Sequence, residues 1–155
     1  MNRIEGIIAE LERLDDGDGF VRDLIEKEIL HEMLGPDRGR WRIMLNPLFP
    51  TRYLSVTTSL DAARQLFKLA FPGWLYRVAE CSVSDDAWVI PDFNHPDRGE
   101  ELQKRFPDAM KDPVEWFGTD VDLRPAGRPA MALCISMLLA KKKIIAVEKE
   151  ASLVE

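Results

Sequence analysis

The densest gathering of chemistry-bearing side chains is "SDDAWVIPDFNHPDRGE" at residues 84–100, which collects Asp85, Asp86, Asp92, His95, Asp97 and Glu100. Carboxylates with an imidazole form a donor set that can hold a divalent ion and activate water. The same residues are also turn formers, and His95-Pro96-Asp97 has the composition of a solvated loop. A second acidic run, "DDGDG" at 15–19, superficially resembles a calcium loop. Such a loop needs alternating oxygen ligands through twelve positions with an acidic one at the end. Asp16 and Asp18 fit two positions, but Phe20 and Arg22 occupy the next. A solvated turn between helices is the expected reading.

Nucleophilic catalysis has less to work with. His31 and His95 are the two histidines, so any Ser-His or Cys-His pair must use one of them. His31 lies in "EILHEML", on a helix face. Cys81 and Cys134 form no CxxC pair and stand in apolar surroundings, so buried free thiols are expected. Cys134 sits in the most apolar helix of the chain, where a thiolate is disfavoured. Ser136 shares that helix and is expected to bond back to its own backbone. No glycine-rich phosphate loop or nucleophile elbow occurs. Trp41, Trp74, Trp88 and Trp116 could stack on bases or sugars, yet tryptophans on strands of a small sheet are more often core. The cations near them, Arg98, Lys104, Arg105 and Lys111, alternate with acids and make no groove for a single strand. The sequence commits to no catalytic, cofactor-binding or metal-ligating residue.

The elements that would position these groups follow from periodicity. Ile4, Ile7, Ile8, Leu11 and Leu14 recur at helical spacing, and after "DDGDG" a second helix carries Val21, Leu24, Ile25, Ile29 and Met33 before Gly35-Pro36. This pair can fold back on itself, cover the main domain, or pair with another chain. Residues 35–57 hold three prolines and one candidate strand, "WRIML". "TTSLDAARQLFKLAFPGW" then spells a helix near 59–71, capped at Thr58 or Ser59, with Asp61 at its positive end and a Pro-Gly stop. "WLYRVAE" alternates as a strand at 74–80; a turn at Ser84-Asp85-Asp86 leads to a partner strand at 86–91. Residues 91–113 form a polar excursion in which "GEELQKRF" can make a short helix. A third strand is expected around 114–121. "GRPAMALCISMLLAKKK" is a helix near 129–142, apolar on nearly every face and so central to the core. Lys141–Lys143 would complement its C-terminal dipole, and "IIAVEKEASLVE" either continues the helix or frays.

These elements make an α+β protein, a small α/β/α-type sandwich with a short, mainly antiparallel sheet flanked by helices. Residues 1–34 form an acidic N-terminal helical segment and residues 35–155 the sandwich domain. A chain of 155 residues is long enough to bury a real core. Its formal charge of −6 lies wholly in residues 1–34, with four Lys or Arg against ten Asp or Glu; the rest holds 17 of each sign. Duplex nucleic acid, which needs clustered positive charge, is not an expected partner. No apolar run is long enough for a membrane span, and the start lacks the layout of a signal peptide, so the expected compartment is the cytoplasm.

Three stretches carry a family likeness: "TTSLDAARQLFKLAFPGW", then Trp88, then "RPAMALCISMLLAKK". Across roughly residues 50–142 the chain resembles an uncharacterised group of phage and prophage proteins described as carrying a phage ABA-sandwich domain. The acidic helical start is similar to the leader of many members, while the polar stretch from Asn94 to Asp112 is longer than the pattern. The resemblance implies a fold, a phage or prophage context and a bacterial host cytoplasm, but no catalytic residues. The expected function is that of a non-enzymatic accessory protein acting through protein–protein contacts or self-association of its N-terminal helices. The alternative is a small metal-dependent or nucleic-acid-acting enzyme using the Asp/His loop at 85–100.

Overall fold

The computed structural model describes residues 2–14, 19–37 and 55–154. Helix α1 spans Arg3–Arg13 and begins at a reciprocal cap: the Asn2 side chain accepts from Glu5 N–H at 2.9 Å, and the Glu5 carboxylate accepts from Asn2 N–H at 3.3 Å. Helix α2, Gly19–Leu34, stops at Gly35, whose φ of +89° suits a residue without Cβ. Arg3 at the start of α1 meets Glu32 near the end of α2 at 3.2 Å, so the two run antiparallel. Helix α3, Leu60–Ala70, is capped by Ser59, whose hydroxyl accepts from Ala62 N–H at 3.2 Å. Beyond it Gly73 turns the chain with a φ of +85°, and an added Cβ would also lie 2.7 Å from Arg98 Cδ.

Strands β1 (Trp74–Glu80) and β2 (Asp85–Pro91) form the expected hairpin, with Trp74 opposite Pro91 and Glu80 opposite Asp85. The excursion contains helix α4 at Gly99–Arg105, a single 3-10 turn at Pro107–Ala109, and helix α5 at Pro113–Phe117. Strand β3, Val121–Leu123, adds antiparallel to the far side of β2, and helix α6 runs from Pro129 to Val154. The chain is an α+β protein with an antiparallel sheet in the order β1-β2-β3 and an N-terminal helical segment.

Three expectations are corrected. The segment expected as a strand around 114–121 opens as a helix, because Asp112 accepts from Glu115 N–H at 3.2 Å and Pro113 sits where a missing N–H costs nothing. Gly118, at φ +63°, closes that helix, and the strand starts only at Val121. The hairpin turn spans 81–84 rather than Ser84-Asp85-Asp86: Cys81 N–H bonds Ser84 O, and both aspartates belong to β2. Lys141–Lys143 do not stand at a helix C-terminus, since α6 continues through the tail to Val154. The candidate strand "WRIML", Trp41, Asp16 and Asp18 lie outside the described residues.

The core forms around the first half of α6. Ala130 through Leu138 are buried without a break, and a helix that apolar can exist in water only if covered all round. The sheet, with β2 foremost, covers it together with α1 and α3. The sheet's inner face supplies Trp74, Tyr76, Val78, Ala87, Val89, Val121 and Leu123. Below its β1 end Trp74, Phe106, Phe117 and Trp116 interlock edge to face, with centroids 4.8–6.2 Å apart. Ile4, Ile7, Leu11, Ile25 and Ile29 enter the same core, so the N-terminal pair covers the main body. At its rim Lys142 Nζ bonds Glu5 at 2.7 Å, and this partner, with the Asn2 amide, holds the Glu5 carboxyl below its ordinary range. That support is present above the usual carboxylate range and fades as pH falls through the depressed value.

Leu133→Ala should therefore lower unfolding stability by about 2–5 kcal/mol through cavity formation. Leu153→Ala, at a position 79% exposed, should stay within about 0.5 kcal/mol. Urea unfolding monitored by circular dichroism measures both.

Candidate interaction surface

Three members of the acidic loop, Asp85, Asp92 and His95, have structural duties. Asp85 is 1% exposed, and its Oδ2 accepts from Arg128 N–H at 2.5 Å. It is thus a long-range cap on the start of α6, where a carboxylate also meets the positive end of the helix dipole. Asp86 faces outward on β2, directly opposite Asp122, which is bonded in turn by Arg124. Asp92 Oδ1 accepts from Asn94 N–H at 3.0 Å and closes a local turn. His95 Nδ1 accepts from the N–H groups of Asp97 and Arg98, both at 3.1 Å, and so shapes the approach to α4. Glu100 stands in the first turn of α4. These side chains do not converge, and among the described residues no group of three or more His, Cys, Asp or Glu is arranged to hold a metal ion.

The remaining candidates are equally settled in the fold. Cys134 is buried and donates to Val56 O at 3.2 Å; burial, aided by the Glu26 charge, pushes its thiol well above the ordinary range. Cys81, expected to be buried, is exposed instead, because it lies in the hairpin turn rather than on an inner strand face. Hydrogen bonds from Ser84, then from the backbone around it, lower its pKa. Ser136 does not bond back to its own helix; its hydroxyl donates to Thr119 O at 2.8 Å. Thr119 Oγ1 in turn donates to Val89 O at 2.8 Å, so this pair stitches α6 to β2. Trp74 and Trp116 belong to the aromatic cluster, and Lys143 lies over the Trp116 ring at 4.4 Å. Arg98 and Arg105 line one concavity of about 240 Å³ together with Glu101 and Glu148, where Arg105 is tied to Glu148 at 2.5 Å, while Lys104 and Lys111 are exposed. His31 sits, half-buried, in the last turn of α2.

Comparison with protein-family models, with curated proteins and with solved structures finds no match.

What the side chains leave open is a face of the N-terminal pair. Helix α2 turns Ile25, Ile29, Leu30 and Met33 inward, while Leu24 and Phe20 remain 49% and 75% exposed. Between the two helices, at the end away from the Arg3–Glu32 bridge, lies a concavity of about 490 Å³. Leu14, Leu24 and Ile25 contribute its apolar surface, and Glu10, Glu28 and Arg13 its rim. Val21 and Leu24 were expected on the buried side of α2. Helical geometry instead swings them out, because the buried arc is centred on Ile25, Ile29 and Met33 with Glu26 and Leu30 beside them.

Glu26 itself escaped the sequence reading. It is fully buried, and its Oε1 accepts from Ser55 Oγ at 2.8 Å, from Thr57 N–H at 3.1 Å and from Thr57 Oγ1. Arg22, one turn earlier, donates to Thr57 Oγ1 at 3.0 Å. The signal was available: a glutamate three residues before Ile29 and four before Leu30 stands inside the apolar arc. Its role is to pin α2 to the turn that leads into α3.

Two measurements check these assignments. Glu26→Ala should cost about 1–3 kcal/mol by leaving buried donors unpaired, and should raise exchange at the Thr57 amide; Glu26→Gln should cost less. Ellman's reagent on the native chain should titrate one thiol quickly, at Cys81, and release Cys134 only on unfolding.

Proposed function

We propose that the chain is a non-enzymatic accessory protein acting through protein–protein contacts made by the outer face of α1 and α2. One observation carries this reading: Phe20 and Leu24 are exposed on a helix whose opposite side is already buried in the core. Large apolar side chains grouped over a concavity mark contact surfaces more often than idle surface. Of the residues that could have supported catalysis, Asp85, Asp92, His95 and Cys134 are committed to a cap, a turn or a buried contact. The biological setting we take is that of a phage or prophage protein in a bacterial host cytoplasm, on the likeness carried by residues 57–74 and 128–142. Among the described residues no helix is long and apolar enough to cross a membrane.

Deleting residues 1–34 would strip Ile4, Ile7, Leu11, Ile25 and Ile29 from the core, so surface substitution is the cleaner test. A photo-crosslinking residue at position 24 should yield a discrete protein adduct in the host cell, and the same residue at position 75 should not. Phe20→Ser with Leu24→Ser should abolish the adduct formed from position 28 while changing stability by only about 0.5 kcal/mol. Equal crosslinking from positions 24 and 75, or none from either, overturns the reading.

A further inference from the structure

We infer that the occupant of the α1–α2 groove is a short amphipathic helix with a basic rim, supplied by a partner protein. The inference rests on the reading of this face as a contact surface and adds the chemistry of what fills it.

Shape argues for a helix. The groove lies between two antiparallel helices whose backbone groups are spent in their own ladders, so it offers no main-chain donors or acceptors to an added strand. A third helix laid along it would bury apolar side chains at i, i+3 and i+4 against Leu14, Leu24 and Ile25, and exposed Phe20 stands one turn before Leu24 on the same helix. A concavity of about 490 Å³ lies within the size range of pockets that take up ligand groups.

Charge chooses the partner's rim. All six of the chain's excess negative charges lie in residues 1–34. Two of those acids are already answered, Glu5 by Lys142 and Glu32 by Arg3, and Glu26 is buried against Ser55 and Thr57. Among the described residues Glu10 and Glu28, on either wall of the groove, carry no ion pair, and Arg13 is the one cation on its rim. Two copies apposed through this face would bring like charge against like charge, and an anionic lipid surface would meet the same repulsion. A helix with Lys or Arg flanking its apolar stripe gains attraction where those alternatives meet repulsion.

The test uses the full chain and two fluorescent synthetic helices of about 18 residues, five turns long. Both carry the same leucine stripe; one has lysine flanks and the other glutamate flanks. Anisotropy should show the lysine peptide binding at least about tenfold more tightly than the glutamate peptide, a difference of about 1.4 kcal/mol. Raising salt from about 0.1 M to about 1 M shortens the screening length from about 10 Å to about 3 Å and should remove most of that difference. Phe20→Ser with Leu24→Ser should weaken lysine-peptide binding about tenfold with an unchanged melting curve, and Glu10→Gln with Glu28→Gln should weaken it and flatten its salt dependence. Lysine-peptide binding indifferent to the Phe20/Leu24 change would be unspecific charge attraction and would overturn the inference. Equal binding of both peptides would overturn the basic rim while leaving the groove as a contact surface. A Leu24-dependent dimer in sedimentation, or Leu24-dependent binding to phosphatidylserine vesicles, with neither peptide bound, would replace the occupant and overturn the inference. Absence of all of these, together with no adduct from position 24, would overturn the contact surface as well.

Discussion

A helix that is apolar on every side cannot end at a surface, and that constraint organises this molecule. Ala130 through Leu138 present no polar stripe to water, so α6 has to be enclosed before anything else can be stable. The sheet alone covers only part of its circumference. Helices α1 and α3 complete the cover, which is why the acidic leader becomes part of the core rather than a detachable arm.

Enclosing a helix in apolar surface does not fix its register, and buried polar contacts supply that. Asp85, on the hairpin, holds the Arg128 N–H immediately before α6. Ser136, one and a half turns into the buried stretch, reaches Thr119, which is itself bonded to both backbone groups of Val89. Glu26 gathers Ser55 and Thr57 and thereby fixes α2 against the turn that caps α3. Each of these pins joins elements far apart in sequence, and a buried polar group left unpaired costs more than it returns when paired. Wrong registers are therefore penalised more strongly than the apolar contacts alone would penalise them.

The same economy accounts for the placement of several chemistry-bearing residues. A carboxylate or imidazole with its acceptor atoms filled by backbone N–H groups is a cap, and Asp85, Asp92 and His95 are used in that way. The lysine run is divided among separate tasks, Lys142 reaching Glu5 and Lys143 the Trp116 ring. On the outside of α2, Phe20 and Leu24 have no interior to enter. Function, on this reading, belongs to a surface rather than a pocket with reactive groups.

How much of this was legible in the sequence depended on the range of the interaction involved. Local signals determined the helix at Leu60–Ala70 with its Ser59 cap and Gly73 stop, the hairpin of β1 and β2, and the centrality of α6, because a cap, a period or an unbroken apolar run is written in adjacent residues. At Pro113–Phe117 a local signal was present but outweighed in the reading: Asp112-Pro113 is a helix start, while the apolar residues that follow also suit a strand. The rest required the tertiary structure. Which arc of α2 turns inward, whether Glu26 is solvated or buried, and whether Asp85 binds an ion or a distant amide are decided by partners 29 to 43 residues away. The sequence by itself determined the pieces and the α+β class; only their packing around α6 decided which charged groups became pins and which apolar groups stayed outside. The physical reason is that burial and pairing are properties of three-dimensional neighbours, and periodicity records only the neighbours along one helix or strand.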